Sequence, residues 1–283
     1  MVVPASIGIL APNRTHACAD ALQRLMEACA AVGLNAYELG AHSLADAQLG
    51  APELLLCLGG DGTMLSTAEL ASERGCILGG INMGHLGFLS ACAKDGIAEL
   101  VQALADGTYG VEVRTMLQVS KCDTLTPTPE FTQTHLALNE VALMRAQTGK
   151  MVDLDVEVNG KLLNRYHADG VLVATPTGST AYSLSAGGPL VWPDAGVMCL
   201  TPICPHSLTN RSVVLPDTAE IVMRPRERRG RAGESLIYSL DGRDTHAIAL
   251  NETLSIRKAP HPLRLLTLPT GDFAARLRAK LGW

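Results

Sequence analysis

Three glycines around a single acid, at the point where an apolar run gives way to a helical pattern, form a candidate phosphate cradle. The segment is Leu58-Gly59-Gly60-Asp61-Gly62-Thr63-Met64-Leu65. Glycines let the backbone close on a bulky anion, and the N–H groups at a helix start attract phosphate. A carboxylate beside phosphates is electrostatically out of place unless it has a task. Asp61 could accept a proton from a substrate hydroxyl or help to hold a metal–nucleotide complex. The structural alternative is a tight turn in which Asp61 caps the helix through the N–H groups of Thr63 and Met64. The run is not a P-loop, because the Gly-Lys-Ser/Thr ending is missing.

Further polar groups stand where apolar residues are expected. A second glycine-bearing stretch, Gly79 to Leu89 with Asn82, Gly84, His85 and Gly87, follows another apolar run. In an α/β sheet, loops after adjacent strands line one crevice, so it should face the first loop. The richest stretch runs from Asp169 to Pro189: an apolar strand, then Thr175-Pro176-Thr177-Gly178-Ser179-Thr180-Ala181-Tyr182-Ser183-Leu184-Ser185. Its hydroxyls and small residues can donate short hydrogen bonds and admit a flat ring, on which Tyr182 could stack. A Ser/Thr N-cap before a helix accounts for one or two of them. Asn139-Glu140 interrupts the apolar strand pattern 136–144, where adjacent polar residues are costly unless paired. The strand end is therefore expected to open on a ligand such as a ribose. Asp241-Gly242-Arg243-Asp244 reads first as a hairpin turn, with ligand contact as the alternative.

The elements that must position these groups fall into two halves. Up to residue 107, short apolar runs alternate with helical spacing: 6–10 as a strand, then Leu22, Leu25, Met26, Cys29 and Val32 on one helix face, with Gly33 as C-cap. Residues 54–58 lack polar alternation, which suits a parallel strand covered on both faces. This half is expected to be an α/β domain with a Rossmann-like parallel sheet. From 108 to 270 period-2 alternation takes over, clearest in 152–158, where every second residue is apolar before the type I′ turn signal Asn159-Gly160. Further strands are expected at 111–120, 136–144, 212–223, 235–240 and 253–257, which makes the second domain β-rich and β-sandwich-like. Residues 271–283 return to helical spacing through Phe273, Leu277 and Leu281 and are expected to pack back on the first domain. Segments 123–130 and 224–234 read as exposed loops.

The chain has 283 residues, 47% of them hydrophobic, enough for two cores. A net charge of -5 argues against nucleic acid as a partner. Eight scattered cysteines without a Cys-x-x-Cys pair read as small buried hydrophobes in a reducing compartment. No run approaches the roughly 20 apolar residues of a membrane span, and no signal segment precedes the first strand. A cytoplasmic protein is expected.

Taken in order, these segments resemble the NAD kinase family, ATP-dependent enzymes that phosphorylate the adenosine ribose 2′-hydroxyl of NAD to give NADP. The resemblance covers Gly59 to Thr63, Ile81 to Leu89, Asn139-Glu140, the 169–189 block, Pro205-His206-Ser207-Leu208 and the Lys280-Leu281-Gly282-Trp283 end, with the proteobacterial-type branch most similar. It implies an active site between the two domains, with Asp61 as proton acceptor and Gly59, Gly60, Gly62 and Thr63 facing phosphates. It implies that Asn139, Glu140, Asp169, Thr180, Ala181, Tyr182, Ser183, Leu184 and Ser185 bind NAD, and it brings Lys150, His167 and Arg243 to positions that contact the dinucleotide. Mg²⁺ or another divalent cation is implied with ATP, without a dedicated protein metal cage. In some bacterial relatives an arginine two before Asp169 accompanies preference for NAD over NADH; here the residue is His167. The resemblance also implies a homodimer or homotetramer, with some site residues serving a neighbouring subunit. Lipid kinases and phosphofructokinases share a Gly-Gly-Asp-Gly turn but have no use for Asn139-Glu140 or the 169–189 block. A non-catalytic dinucleotide-binding regulator would not need Asp61. A dehydrogenase is disfavoured because Ala11-Pro12-Asn13, not a Gly-x-Gly-x-x-Gly turn, follows the first strand.

Overall fold

The structure, a computed structural model, describes residues 2–12, 15–39, 52–84, 87–123, 131–147, 151–226, 236–269 and 272–283, with backbone only for 131–133. The expected loops at 123–130 and 224–234 lie almost wholly outside the described residues. The chain divides into two compact units, Met1–Val113 with Leu263–Trp283, and Arg114–Pro262.

The first unit begins with β1 (Ile7–Leu10), α1 (His16–Ala31), β2 (Ala36–Leu39), β3 (Leu54–Leu58), α2 (Asp61–Arg74), β4 (Ile77–Asn82), β5 (Cys92–Ala93), α3 (Ile97–Ala105) and β6 (Gly110–Arg114). Helix α1 starts because Thr15 turns its hydroxyl back to the Cys18 N–H at 3.4 Å. It buries Cys18, Ala21, Leu25 and Cys29, spaced three to four apart, as one face. All five residues of β3 are buried, the pattern of a strand inside a parallel sheet. With a late strand, β19 (Leu263–Thr267), included, the strand order is β2-β1-β3-β4-β19-β6, with β5 beside β4. Strand β19 (Leu263–Thr267) and helix α5 (Phe273–Leu281) arrive after the whole second unit has been traversed. Strands β6 and β19 thus carry this sheet beyond the residue-107 boundary read from periodicity, and Arg264 and Leu265 run parallel to Ile77 and Leu78.

The second unit is a sandwich of two sheets. Its strands are β7 (Leu117–Asp123), β8 (Phe131–Ala137), β9 (Glu140–Arg145), β10 (Val152–Val158), β11 (Lys161–Ala168), β12 (Gly170–Ala174), β13 (Val197–Ile203), β14 (Val213–Pro216), β15 (Ile221–Pro225), β16 (Leu236–Leu240), β17 (Asp244–Ile248) and β18 (Glu252–Lys258). A short helix, α4 (Tyr182–Ser185), follows β12. One sheet runs β11-β10-β15-β18-β7-β8 and the other β14-β13-β12-β9-β16-β17. The alternation in 152–158 puts Val152, Leu154 and Val156 into a core shared with Val141, Leu143, Val171, Val173 and Tyr238 of the other sheet. Asn159 and Gly160 take positive φ of 50° and 74°, as the type I′ turn requires. Strands β9 and β12 are buried on both faces, because Ala142, Leu172, Ala174 and Cys199 pack beneath Ala186 and Val191 of the segment after β12.

All eight cysteines are free; seven are buried, and Cys204 departs from the expectation by being exposed. Among the described residues no helix is long and apolar enough to cross a membrane.

Candidate active site

In the first unit, β3 delivers the chain to Gly59, whose N–H bonds the Ile81 carbonyl of neighbouring β4 at 3.0 Å. A Cβ on Gly59 would collide with the Thr63 side chain, lying 2.8 Å from its Cβ, so the turn closes only with glycine. The Gly60 carbonyl takes the N–H groups of Thr63 (3.0 Å) and Met64 (3.3 Å). The capping arrangement through Asp61 therefore does not form. Instead the Asp61 carboxylate accepts the N–H of Phe88 at Oδ2 (2.9 Å) and of Leu89 at Oδ1 (3.2 Å). The loop after β4 does face the loop after β3, as adjacent parallel strands dictate. Gly87 lies so close to this carboxylate that a Cβ there would overlap it. Each oxygen keeps an acceptor position beyond its backbone bond, and the space around Gly60 and Gly62 is open to 4 Å. Asp61 also begins a 14-residue helix, so its side chain sits in the first turn.

The loop is braced from several sides. Asn82 accepts the Gly84 N–H at 2.7 Å and donates to Ser90 at 3.3 Å. From α5, Arg276 donates to the Phe88 carbonyl at 2.7 Å, Phe273 lies 6.1 Å from the Phe88 ring, and Lys280 sits 5.5 Å above that ring. His85 lies outside the described residues.

In the second unit, β9 is antiparallel to both β12 and β16, so its start meets their ends. This brings Asn139-Glu140, the loop after β12 and the turn at Asp241 to one end of the sheet. Asn139 and Glu140 are not in mid-strand, as the apolar pattern suggested. The chain crosses there from β8 in one sheet to β9 in the other, and Leu138-Asn139 is the bend. Two residues, Asp241 and Thr175, hold the crossing. The Asp241 carboxylate takes the N–H groups of Leu138 (2.9 Å), Asn139 (2.7 Å) and Glu140 (3.1 Å). The Thr175 hydroxyl donates to the Leu138 carbonyl at 2.6 Å, and the Asn139 carbonyl accepts the Thr175 N–H at 2.8 Å. Gly178 packs directly on Asn139, whose Cα would lie 2.7 Å from any Cβ.

Glu140 is 3% exposed, and its Oε2 has no hydrogen-bond partner among the described residues. Burial, and then the Asp241 carboxylate, raise its carboxyl to a pKa of about 8, against a stabilising N–H from Tyr182. Ser183 is fully buried, its hydroxyl without a partner among the described residues, while Tyr182 and Ser185 are exposed. Burial raises the Tyr182 phenol, helped by Cys204, Asp169 and Glu140. Three of the hydroxyls expected to line a ligand are used within the protein instead, one of them at the sheet crossing and two inside the loop. Thr175 donates as above, Ser179 donates to the Pro176 carbonyl at 2.6 Å, and Thr180 to the Thr177 carbonyl at 3.2 Å. Ala181 and Leu184 shape the short helix through backbone bonds, Ala181 N–H to Gly178 and Leu184 N–H to Ala181.

Asp169 and His167 lie toward the other end of these strands. In register, Ala174 faces Glu140 while Gly170 faces Met144. Asp169 pairs with Arg145 at 2.8 Å, and His167 Nδ1 lies 2.8 Å from Asp153, with the His206 ring 5.6 Å away. Arg243 is exposed on the turn, its N–H on the Leu240 carbonyl at 2.9 Å. Lys150 lies outside the described residues. Sequence reasoning missed the anchoring by Asp241 and the Arg145–Asp169 pair. Asp-Gly is common in type I′ turns, so spacing alone does not separate a turn aspartate from an anchor.

A glycine-ringed carboxylate after a parallel strand, and a sheet end gathering amide, carboxyl and phenol groups, are the equipment of a phosphotransferase that acts on a nucleotide. Residues 41–109 match the ATP-NAD kinase N-terminal domain and residues 138–268 the ATP-NAD kinase C-terminal domain. A NAD kinase of Gemmatimonas aurantiaca is 39% identical over 231 residues, 82% of this chain and 78% of that one. The chain belongs to the NAD kinase family. The fold is that of yeast NADH kinase solved with NADH (TM-score 0.86, 23% identity, 98% of this chain and 87% of that one) and of an Archaeoglobus fulgidus NAD kinase solved with ATP (0.75, 24%, 98% of each).

Proposed function

We propose that the protein transfers the γ-phosphoryl group of ATP to the 2′-hydroxyl of the adenosine ribose of NAD, giving NADP and ADP, with Asp61 as general base. The observation that carries this reading is the Asp61 carboxylate, aimed by two backbone N–H groups and bordered by open backbone at Gly60 and Gly62. The proton of the 2′-hydroxyl passes to Asp61 as the ribose oxygen bonds to the γ-phosphorus. The bond from that phosphorus to the β-phosphate oxygen breaks, and ADP leaves with its electron pair.

One carboxylate with the rest of the turn backbone amide suits a divalent cation carried mainly by ATP oxygens; that cation neutralises charge on the moving phosphoryl group. Gly59, Gly60, Gly62 and Thr63 serve the phosphates. Asn139 and Glu140 take a ribose, and Tyr182 with Thr180, Ala181, Ser183, Leu184 and Ser185 forms the wall beside them. Asp169, His167, Lys150 and Arg243 complete dinucleotide recognition, some of them serving a neighbouring copy in a homodimer or homotetramer. The protein works in the cytoplasm.

Purified protein incubated with ATP, Mg²⁺ and NAD, and in parallel with NADH, tests this. An NADP-specific dehydrogenase coupled to the reaction is expected to report product with NAD. Absence of NADP there rejects the function.

A further inference from the structure

We propose that Asp241 is a positioning residue for the acceptor nucleotide, its carboxylate holding Asn139 and Glu140 in the attitude in which they receive the ribose. This rests on the reading of Asn139 and Glu140 as dinucleotide contacts. Where the chain leaves one sheet for the other, the ladder bonds stop and buried N–H groups need other acceptors. A single carboxylate supplies them for three consecutive residues, Oδ2 to Leu138 and Oδ1 to Asn139 and Glu140. Consecutive N–H groups wrapped on one anion form a nest, which sets the local dihedrals and so the exit directions of the side chains. Asp241 closes the ring by donating its own N–H to the Glu140 carbonyl at 2.9 Å. From the β12 side, Thr175 bonds the Leu138 and Asn139 carbonyls, Gly178 packs on Asn139, and Ala174 pairs with Glu140. Asn139 and Glu140 are thereby clamped between two strands' ends.

The turn allows a clean test. Asp241 and Gly242 have φ of 51° and 65°, and Asn occupies that left-handed position as readily as Asp. Asp241→Asn therefore keeps the corner while replacing one acceptor oxygen with an amide that faces N–H donors. The expected result is a KM for NAD raised by roughly tenfold or more, the loss of a charged hydrogen bond, with KM for ATP little changed. In a double-mutant cycle with Glu140→Gln, the combined loss is expected to be smaller than the product of the single losses, because one change acts through the other. Unchanged KM for NAD, equal changes in both KM values, or multiplicative losses would each overturn the proposal. If Asp241→Asn does not fold, Asp241→Gly, which suits positive φ, is read in the same way. Failure of both to fold makes Asp241 a folding residue and also overturns the proposal. Wild-type protein that makes no NADP instead sinks the underlying function, and that is read before any variant.

Discussion

Asp61 has both carboxylate oxygens on backbone N–H groups of the facing loop, so its position is set before any substrate arrives. Asp61→Asn is expected to lower turnover by roughly 10²- to 10⁴-fold while NAD binding persists, read by initial rates and calorimetric titration. Near-normal turnover would leave Asp61 as a loop anchor and no more. Glu140 makes a prediction about stability. Its folded pKa of about 8 exceeds the ordinary value of 4.5. The neutral carboxyl therefore contributes stability fully below about pH 4.5, and this is lost as pH rises through about 8. Glu140→Gln has nothing to lose in that window. Without nucleotides, the thermal midpoint of the variant minus that of wild type is expected to rise across it, and a flat difference would refute the assignment.

Among the elements, the loop after β12 is held by contact rather than by flexibility. Gly178 touches Asn139 backbone, so Gly178→Ala must displace either the loop or the sheet crossing. Overpacking of this kind costs about 1–3 kcal/mol. The same displacement moves Asn139-Glu140, so KM for NAD is expected to rise together with the loss of stability, measured by thermal melts and steady-state kinetics. A variant that melts early but keeps its KM would separate the loop from nucleotide binding.

Across the sandwich, the two sheets meet at their edges in a stack of rings. His135 of β8 lies 4.6 Å from His246 of β17, and Tyr238 of β16 lies 4.9 Å from His246 on the other side. Among the described residues, His135 Nε2, His246 Nε2 and the Tyr238 hydroxyl have no hydrogen-bond partner. Desolvation first, then His135 and Lys121, lower the His246 pKa from 6.5, against Asp244. The neutral ring contributes stability that is full above about pH 6.5 and is lost as pH falls toward the lower folded value. His246→Phe keeps a stacking ring without a titrating one. Wild type is expected to lose thermal midpoint more steeply than this variant as pH drops below about 6.5, and equal slopes would show that His246 takes up its proton alike in the folded and unfolded chain.

Local patterns carried far in this protein. The unbroken apolar run of β3, the alternation of β10 and the Asn159-Gly160 turn were legible because each depends on residues within a few positions of one another. The ordered motifs around Asp61, Asn139 and Tyr182 were likewise enough to indicate the family. Tertiary structure decided the rest. The return of β19 to the first sheet follows from pairing with β4, nearly two hundred residues earlier, and leaves no local period. The crossing at Asn139 looked like mid-strand because apolar residues on both sides are buried, although in different sheets. The Asp241 anchor bridges about a hundred residues. In the 175–185 loop, Ser179 and Thr180 turn to carbonyls inside it and Thr175 to the Leu138 carbonyl at the sheet crossing. Composition states how many donors a segment has, but only the folded backbone settles where the acceptors lie, because a buried polar group must take the partner that geometry brings within reach.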